Sequence, residues 1–240
     1  MPYLIVSDIH GNLEALHAVL QDAAGRYNKI LCLGDLVGYG ADPNAICEWA
    51  RANVAAIVRG NHDKVCCGNE PLDDYRPVAA ASVAWTHQHL TPENLAFLER
   101  LPRGPLRYED FDLAHGSPLD EDEYLITEED AAPVVESLEA RVTFIGHTHV
   151  QGGFLLARRK AARISPDRTL PIEPEYLYLI NPGSVGQPRD GDPRAAYALY
   201  SPGDRVVEYG RVAYDIDAAA AKIRASGLPE PLASRLSLGR

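Results

Sequence analysis

The stretch from Leu31 to Gly38 constrains the fold of this chain more than any other. Its first half, Leu-Cys-Leu, is apolar and predicts a strand that is buried on both faces. Asp35 follows where the strand stops and a glycine-containing turn begins. In open α/β sheets ligands bind beyond the carboxyl ends of the strands, so this carboxylate would face such a crevice. Each of its two oxygens could then hold one metal ion.

Two β-α-β units surround this stretch. An apolar run at 3–8 predicts the first strand, and a 3–4 spacing of apolar residues predicts a helix over Leu13–Gly25. Lys29–Leu33 is the second strand, Pro43–Arg51 the next helix and Val54–Val58 the third strand. Such units favour parallel neighbours with right-handed crossovers. We therefore expect the residues that follow all three strands to meet at one sheet edge.

The remainder of the chain predicts further helices and a strand-rich second half that is mostly antiparallel. The helices are expected at 78–90, 92–101, 128–140 (with Asp130 as its N-cap) and 216–226, and the strands at 106–109, 111–114, 142–145, 153–157, 160–164, 176–180, 195–200 and 205–214. Loops are expected at 69–77 and 181–189, and a loosely held tail at 228–240. We interpret residues 1–240 as a single domain in which 69–101 is a helical insertion and a candidate lid.

Composition and charge limit the classes of function. The net charge of −11 argues against binding to duplex nucleic acid or to an anionic membrane. No apolar run approaches the length of a membrane span. The cysteines lack zinc-finger or redox spacing, so we expect reduced thiols and a cytoplasmic location; they are Cys32, Cys47, Cys66 and Cys67.

Metal-ligand side chains stand at six strand ends or turns. They are Asp8 with His10, Asp35, Asn61 with His62, His115, His147 and His149. Any one of them alone is weak evidence, because an Asp after a strand more often caps a helix and an Asn-His pair more often forms a turn. Their joint placement after short apolar runs indicates a shared site. Imidazole, carboxylate and carboxamide ligands without a thiolate suit Mn²⁺, Fe, Zn²⁺ or Co²⁺ better than Mg²⁺ or Ca²⁺.

The order of these motifs resembles that of the calcineurin-like metallophosphoesterases. The matching motifs are Asp8-x-His10, Gly34-Asp35-x-x-Gly38, Gly60-Asn61-His62-Asp63, His115-Gly116 and Gly146-His147-Thr148-His149. The resemblance spans residues 4 to about 190 and implies a four-layer α/β/β/α sandwich of two mixed sheets flanked by helices. It also implies two divalent metal ions, Mn²⁺ first, with Fe, Zn²⁺, Co²⁺ or Ni²⁺ as alternatives.

The resemblance implies a role for each motif residue. Asp8, His10 and His149 would hold the first metal; Asn61, His115 and His147 would hold the second; Asp35 would bridge the two. A metal-bridging hydroxide would attack phosphorus, His62 would act as general acid for the leaving group, and Asp63 would orient His62. The chemistry is independently reasonable, since an imidazole can carry a proton at working pH and a leaving alkoxide needs one.

Departures from the family pattern narrow the substrate. Tyr39 stands where phosphoprotein phosphatases and the large symmetrical dinucleoside tetraphosphate hydrolases have a phosphate-clamping Arg, so the chain is more similar to the small bacterial and archaeal phosphodiesterase branch. Tyr39 would stack on a base or serve in packing. Arg59 would face the phosphate or form a structural ion pair. Arg189 and Arg194 are substitute anion binders or solvated surface.

We therefore expect a di-metal hydrolase of small phosphodiesters or nucleotides. The alternatives are a dinucleoside polyphosphate hydrolase, a phosphomonoesterase or protein phosphatase, and, from another class, a scaffold without catalysis. The expected partner is a small phosphate ester or nucleotide, and the chain could form a homo-oligomer.

Overall fold

The alternation of side chains along the first strand shows why the chain builds two packed sheets. β1 (Tyr3–Val6) is buried along its whole length. Tyr3 and Ile5 face a core between two sheets, whereas Leu4 and Val6 face a second core under helices. A strand with apolar residues on both faces can be buried only between two such layers. The computed structural model describes residues 1–68, 75–158, 160–166 and 169–240.

The first sheet has six strands and is mixed. Its spatial order is β3 (Val54–Ile57), β2 (Lys29–Cys32), β1, β11 (Ala195–Ser201), β12 (Val206–Val212) and β9 (Thr169–Pro171). The predicted parallel arrangement of the first three strands is confirmed, since β1 pairs with β2 and β2 with β3 in parallel. The short strand β9 was not among the predicted strands.

The second sheet also has six strands. Its order is β4 (Leu106–Tyr108), β5 (Phe111–Leu113), β6 (Val142–Phe144), β10 (Leu177–Asn181), β7 (Gly152–Ala157) and β8 (Lys160–Ile164). β5, β6 and β10 are parallel to one another, and the other pairings are antiparallel. The expectation of two mixed sheets is therefore confirmed.

Helices cover the outer faces of both sheets and complete the expected four layers. They are α1 (Leu13–Asp22), α2 (Pro43–Asn53), α3 (Asn61–Cys66), α4 (Pro77–His89), α5 (Pro92–Glu99), α6 (Glu128–Ala131), α7 (Ile216–Ala225) and α8 (Glu230–Ser234). Leu16 of α1 and Ile46 of α2 pack on the first sheet. Ala131 and Val134 pack on the second.

Two predicted helical features are wrong. The segment 128–140 divides into α6 and a 3₁₀ turn over Ala132–Ser137, because Pro133 lacks the N–H that a continuing α-helix needs. The N-cap is Thr127 rather than Asp130: Thr127 Oγ1 accepts the Asp130 N–H at 3.2 Å, and the Asp130 carboxylate accepts the Thr127 N–H at 2.8 Å.

The C-terminal segment is also ordered, contrary to the prediction of a loose tail. It forms α8 and a 3₁₀ turn over Arg235–Leu238. Leu232 and Leu236 are buried against α7. These two leucines are four residues apart, which is the spacing of a helix face. The segment is too short for this spacing to predict a helix from the sequence.

The segment 69–101 is described only in part. The predicted loop 69–77 falls largely on residues 69–74, which lie outside the described residues. α4 and α5 pack against α2 and α3, and Asn94 Nδ2 donates to Asn44 Oδ1 at 2.8 Å. The lid role stays a prediction. No helix in the described part of the chain has the length and apolar character needed to cross a membrane.

Candidate metal centre

The loops after β1 and β2 are joined directly at the sheet edge. The Asp8 N–H donates to Gly34 O and the His10 N–H to Asp35 O, both at 3.0 Å. Parallel pairing of the strands continues into these loops, so the two loops keep a fixed register. The carboxylates of Asp8 and Asp35 are thereby brought together in a fully buried position.

An unusual backbone conformation marks these loops. Positive φ angles occur at Asp8 (53°), His10 (49°), Asp35 (54°), His147 (65°) and His149 (60°). Residues other than glycine rarely adopt this left-handed region, and such strain persists where the surrounding structure imposes it. Five of the seven predicted ligands share the feature, which indicates that the loops turn in order to direct these side chains inward.

Glycine is required where another loop approaches Asp35. A Cβ on Gly60 would lie 2.1 Å from Asp35 Oδ1, and one on Gly38, whose φ is +87°, would lie 2.5 Å from His62 Nδ1. No side chain fits at such distances. Gly60 is therefore needed for close packing against the Asp35 carboxylate, and Gly38 for close packing against the His62 ring.

A first cluster is formed by Asp8, His10, Asp35 and His149. One ligand atom from each lies within 4.8 Å of the others, and all four residues are buried. His149 Nε2 lies 3.3 Å from Asp8 Oδ1, and His10 Nε2 lies 3.5 Å from Asp35 Oδ2. The family resemblance implies the same set: Asp8, His10 and His149 would hold one metal, and Asp35 would bridge it to the other.

The ring orientations in this cluster fit a cation. His10 Nδ1 lies 2.9 Å from Val37 O, and His149 Nδ1 lies 2.6 Å from Gln187 O. Carbonyl oxygens only accept, so each Nδ1 carries the hydrogen and each Nε2 carries the lone pair. The two Nε2 atoms face each other at 3.1 Å, and Asp8 Oδ1 has no hydrogen-bond partner. Opposed lone pairs beside buried carboxylates fit a divalent metal ion of the type inferred from the ligand chemistry.

A second cluster shares Asp35 with the first. It contains Asp35, His115 and His147. Asp35 Oδ2 lies 3.4 Å from His115 Nε2, and Asn61 Oδ1 lies 3.2 Å from the same nitrogen. His147 Nε2 lies 3.2 Å from Asp122 O, which leaves Nδ1 to carry its lone pair. The structure thus brings all seven predicted ligands together, with Asp35 between the two groups.

Burial and charge keep most of the histidines in the neutral form that binds metals. Burial lowers the pKa of His10 and of His149, and it lowers that of His147 to about 3. Burial also acts to lower the pKa of His115, but the charge of Asp35, the contact with its carboxylate and the charge of Asp8 together raise the value to about 10. Asp35 shows the opposite balance. Burial acts to raise its pKa, but the surrounding histidines, of which His115 has the largest effect, hold that pKa well below its usual range.

His62 lies beside the first cluster with a free ring nitrogen. Its ring centroid is 5.0 Å from that of His10 and 4.4 Å from that of Tyr39, and its Nδ1 is buried without a hydrogen-bond partner. Burial lowers the pKa of His62 to about 4, against the opposing effect of Asp35. The imidazole is therefore neutral at neutral pH, and a general-acid role needs an anion nearby to raise its pKa.

Asp63 holds the turn that carries Asp35. Its carboxylate accepts the backbone N–H groups of Asp35 and Leu36 at 2.8 Å, and that of Gly60 at 3.1 Å. This differs from the orienting contact with His62 that the resemblance implied. Four amides, including that of Val37, converge on the carboxylate, so its oxygens are already occupied.

The predicted substrate-binding residues lie in different settings. Arg59 forms an ion pair with Glu121 at 2.7 Å, which matches the structural alternative, and the Arg194 guanidinium pairs with Asp192 at 2.6 Å. The Arg189 guanidinium lies 5.7 Å from the centroid of the Tyr39 ring. Tyr39 is only 9% exposed and packs against the rings of His10 and His62, which favours a packing role.

Sequence reasoning missed the residues that support the site from the loop 181–189. Ser184 Oγ donates to Asp8 O at 2.8 Å, and Gln187 O accepts from His149 Nδ1. Asn181 Nδ2 donates to Gly146 O at 2.8 Å. These hydrogen bonds hold the predicted loop against the centre, although its Gly/Pro-rich composition indicated only a loop.

A cleft of about 810 Å³ opens beside both clusters. Asn61, His62 and His147 line its inner end. Its other polar walls are three tyrosines, four arginines and one aspartate, namely Tyr39, Tyr75, Tyr124, Arg76, Arg189, Arg235, Arg240 and Asp122. Tyr124 covers His147, with ring centroids 3.8 Å apart. Apart from Tyr39 and Arg189, the sequence alone gave no reason to place these residues near the centre.

The fold and the shared carboxylate agree with one family of enzymes. The model of the calcineurin-like phosphoesterase superfamily domain matches residues 1–204. The chain belongs to this family and is a metallophosphoesterase.

Relatives extend the likeness to the whole chain. MJ0912, an uncharacterized protein of Methanocaldococcus jannaschii, is 39% identical over 98% of this chain and 97% of its own length. A metallophosphoesterase from Sphaerobacter thermophilus is 40% identical, with a TM-score of 0.88, and the match covers 100% of this chain and 99% of that one. The hypothetical protein PH1004 of Pyrococcus horikoshii shares the fold at 19% identity, with a TM-score of 0.80 over 100% and 98% of the two chains.

Proposed function

We propose that this protein hydrolyses small phosphodiesters or nucleotides with the help of two divalent metal ions, Mn²⁺ first. The observation that carries the proposal is the position of Asp35 Oδ2, 3.5 Å from His10 Nε2 and 3.4 Å from His115 Nε2. One carboxylate thereby serves both ligand groups, as two-metal sites for phosphate ester hydrolysis require.

The residues of the chain would have separate roles around the phosphate. Asp8, His10, Asp35 and His149 would hold one ion, and Asn61, His115, His147 and Asp35 the other. When bound, the two ions would lower the pKa of a water molecule and neutralise charge on the phosphoryl oxygens. Arg189, at the inner part of the cleft beside Tyr39, would add a fixed positive charge.

His62 would donate a proton to the leaving oxygen. Its side chain lines the inner end of the cleft, where a bound substrate would lie. An approaching phosphate anion favours the protonated imidazole and raises its pKa from about 4. Proton donation would therefore be coupled to the arrival of the substrate.

A dinucleoside polyphosphate hydrolase is the second candidate, because the cleft exceeds the size of a simple diester and carries several arginines. A phosphomonoesterase or protein phosphatase, and a scaffold without catalysis, are the remaining readings. We also propose a cytoplasmic location, supported by four buried cysteines that are all free.

The test is the substitution Asp35→Asn, which keeps the shape but removes the charge shared by the two clusters. Hydrolysis of bis-p-nitrophenyl phosphate by protein reconstituted with Mn²⁺ should fall by at least about 10²-fold, since the ligand common to both ions is weakened. Circular dichroism should show an unchanged fold. The matched control is Asp204→Asn, at an exposed position away from the centre.

Two results would contradict the proposal. Turnover by Asp35→Asn equal to that of the wild type would show that the site is assigned wrongly. Absence of turnover with Mn²⁺, Fe²⁺, Zn²⁺ and Co²⁺, in protein shown to bind two ions per chain, would favour the scaffold.

A further inference from the structure

Basic side chains gather along the wall of the cleft. Arg189 stands beside Tyr39, Arg76 directly precedes α4, and Arg235 directly follows α8. Arg235 Nη1 and Arg189 Nη2 both donate to Gln187 Oε1, at 3.3 Å and 3.2 Å. Three separate segments thus deliver guanidinium groups to one wall.

Among the described residues, no acid neutralises these charges. Within the described ranges, none of the three arginines has a carboxylate oxygen within 4.0 Å, whereas Arg59 and Arg211 each have one. The only acidic residue among the described cleft walls is Asp122, and its carboxylate already pairs with Lys64 at 2.7 Å. In a chain with a net charge of −11, four arginines and one acidic residue among the described walls give this cleft a local positive charge that suits an anion.

The arginines also affect one another. The pKa of Arg235 is lowered. Burial is the main cause, and the charges of Arg189 and Arg76 add to it. Keeping like charges close costs free energy in the empty cleft, and an anion bound between them would recover it. Guanidinium groups are well suited to this, since each can donate two parallel hydrogen bonds to a phosphate.

Arg189 is placed for one phosphate, and the outer pair, Arg76 and Arg235, is placed for another. Arg189 is close enough to the centre for its charge to lower the pKa of both His62 and His149. Arg235 shares Gln187 Oε1 with Arg189, and it is Arg189 that lies over the Tyr39 ring packed against His62. Arg76 stands in the cleft wall at the start of α4. One phosphate at the centre would therefore leave the outer pair unoccupied.

We propose that Arg76 and Arg235 form a second phosphate subsite, so that the preferred substrate carries at least one more phosphate group beyond the scissile one, as in a nucleoside or dinucleoside polyphosphate. This rests on the proposed function, because it assigns the substrate class of the same cleft. It also gives the C-terminal segment a part in substrate selection.

The experiment compares two substrates with the same nucleosides but different numbers of phosphates. Adenylyl-adenosine has one phosphate and diadenosine tetraphosphate has four. With Mn²⁺ in excess, the ratio of kcat/KM for the tetraphosphate to that for adenylyl-adenosine should fall about 10- to 100-fold in Arg235→Gln, as expected for the loss of a charge-assisted hydrogen bond. Arg76→Gln should lower it in the same way, and it replaces Arg235→Gln if that variant fails to fold.

The control is Arg26→Gln, which removes a half-exposed arginine that pairs with Glu208 on the surface. It should leave the ratio unchanged. An unchanged ratio in both Arg235→Gln and Arg76→Gln would overturn the subsite while leaving the proposed function intact.

A binding measurement separates the two proposals fully. Calorimetry with inorganic triphosphate and the metal-loaded wild-type protein should give tighter binding than with Arg235→Gln, whether or not an ester is turned over. Equal affinities would overturn the subsite. Failure of the proposed function would instead appear as hydrolysis that survives Asp35→Asn.

Discussion

At the scale of single residues, the centre depends on backbone positions that few residues can occupy. Asp8, His10 and Asp35 have left-handed φ angles, and Gly60 approaches the Asp35 carboxylate so closely that no side chain fits between them. The strain of the first three is held by hydrogen bonds between the loops, such as His10 N–H to Asp35 O. The direction of each ligand is thus set by its neighbours as much as by its own preference.

Gly60→Ala should damage both stability and activity. Its Cβ would lie 2.1 Å from Asp35 Oδ1, so the carboxylate or the Gly60 backbone must move. We expect the free energy of unfolding to fall by about 1–3 kcal/mol, as for other overpacked sites, and hydrolysis to fall at least about 10-fold. Urea denaturation and the diester assay measure the two effects.

The matched control for this substitution is Gly203→Ala, where an added Cβ meets nothing within 4 Å. Its free energy of unfolding should stay within about 0.5 kcal/mol of the wild-type value. Normal activity of Gly60→Ala would show that the loops adapt and that the contact with Asp35 is not needed.

At the scale of secondary-structure elements, the short C-terminal helix ties the end of the described chain to the site. Leu232 and Leu236 are buried in a cluster that also contains Tyr39 and Ile223. Tyr39 in turn packs against His10 and His62. Loss of this helix would therefore remove support from one side of the cleft as well as apolar contacts.

Leu232→Ala should destabilise the protein by about 2–5 kcal/mol, because the side chain is fully buried and its removal leaves a cavity. The free energy of unfolding from urea denaturation is the measurement. Leu238→Ala, at a residue that is 56% exposed, is the matched control and should change it by less than about 0.5 kcal/mol. Equal, small effects of the two substitutions would mean that the helix contributes little to the folded state.

At the scale of the whole molecule, both sheets contribute to one centre. Asp8, Asp35 and Asn61 follow strands of the first sheet, whereas His115 and His147 follow strands of the second. Ions held by both groups would cross-link the two halves of the sandwich. Binding to the folded state alone shifts the unfolding equilibrium towards the native protein.

Metal binding should therefore raise the Tm. At a free concentration about 100 times the Kd, each bound Mn²⁺ would add about 2.7 kcal/mol to the free energy of unfolding. Thermal denaturation of the chelator-treated protein, with and without added Mn²⁺, measures this shift. Asp35→Asn should show a clearly smaller shift than the wild type. The same shift in both proteins would place the ion elsewhere.

The sequence by itself determined the parallel start of the first sheet and the set of ligand residues. Period and length of the apolar runs fix β1, β2 and β3, and the residues that follow parallel strands must meet at one edge. The motifs and the family resemblance then pointed to seven candidate ligands, and the structure brings these residues together. These features depend on short stretches of sequence, so they can be predicted without the tertiary structure.

Only the tertiary structure decided what surrounds that centre. Asp63 binds backbone amides rather than His62, Arg59 is committed to Glu121, and Arg235 returns from the far end of the chain to the cleft. Each of these depends on which partner lies nearest after folding, and such contacts join residues many positions apart. Hydrogen bonds and ion pairs between distant segments leave no periodic trace in a single sequence, so only the packed structure shows them.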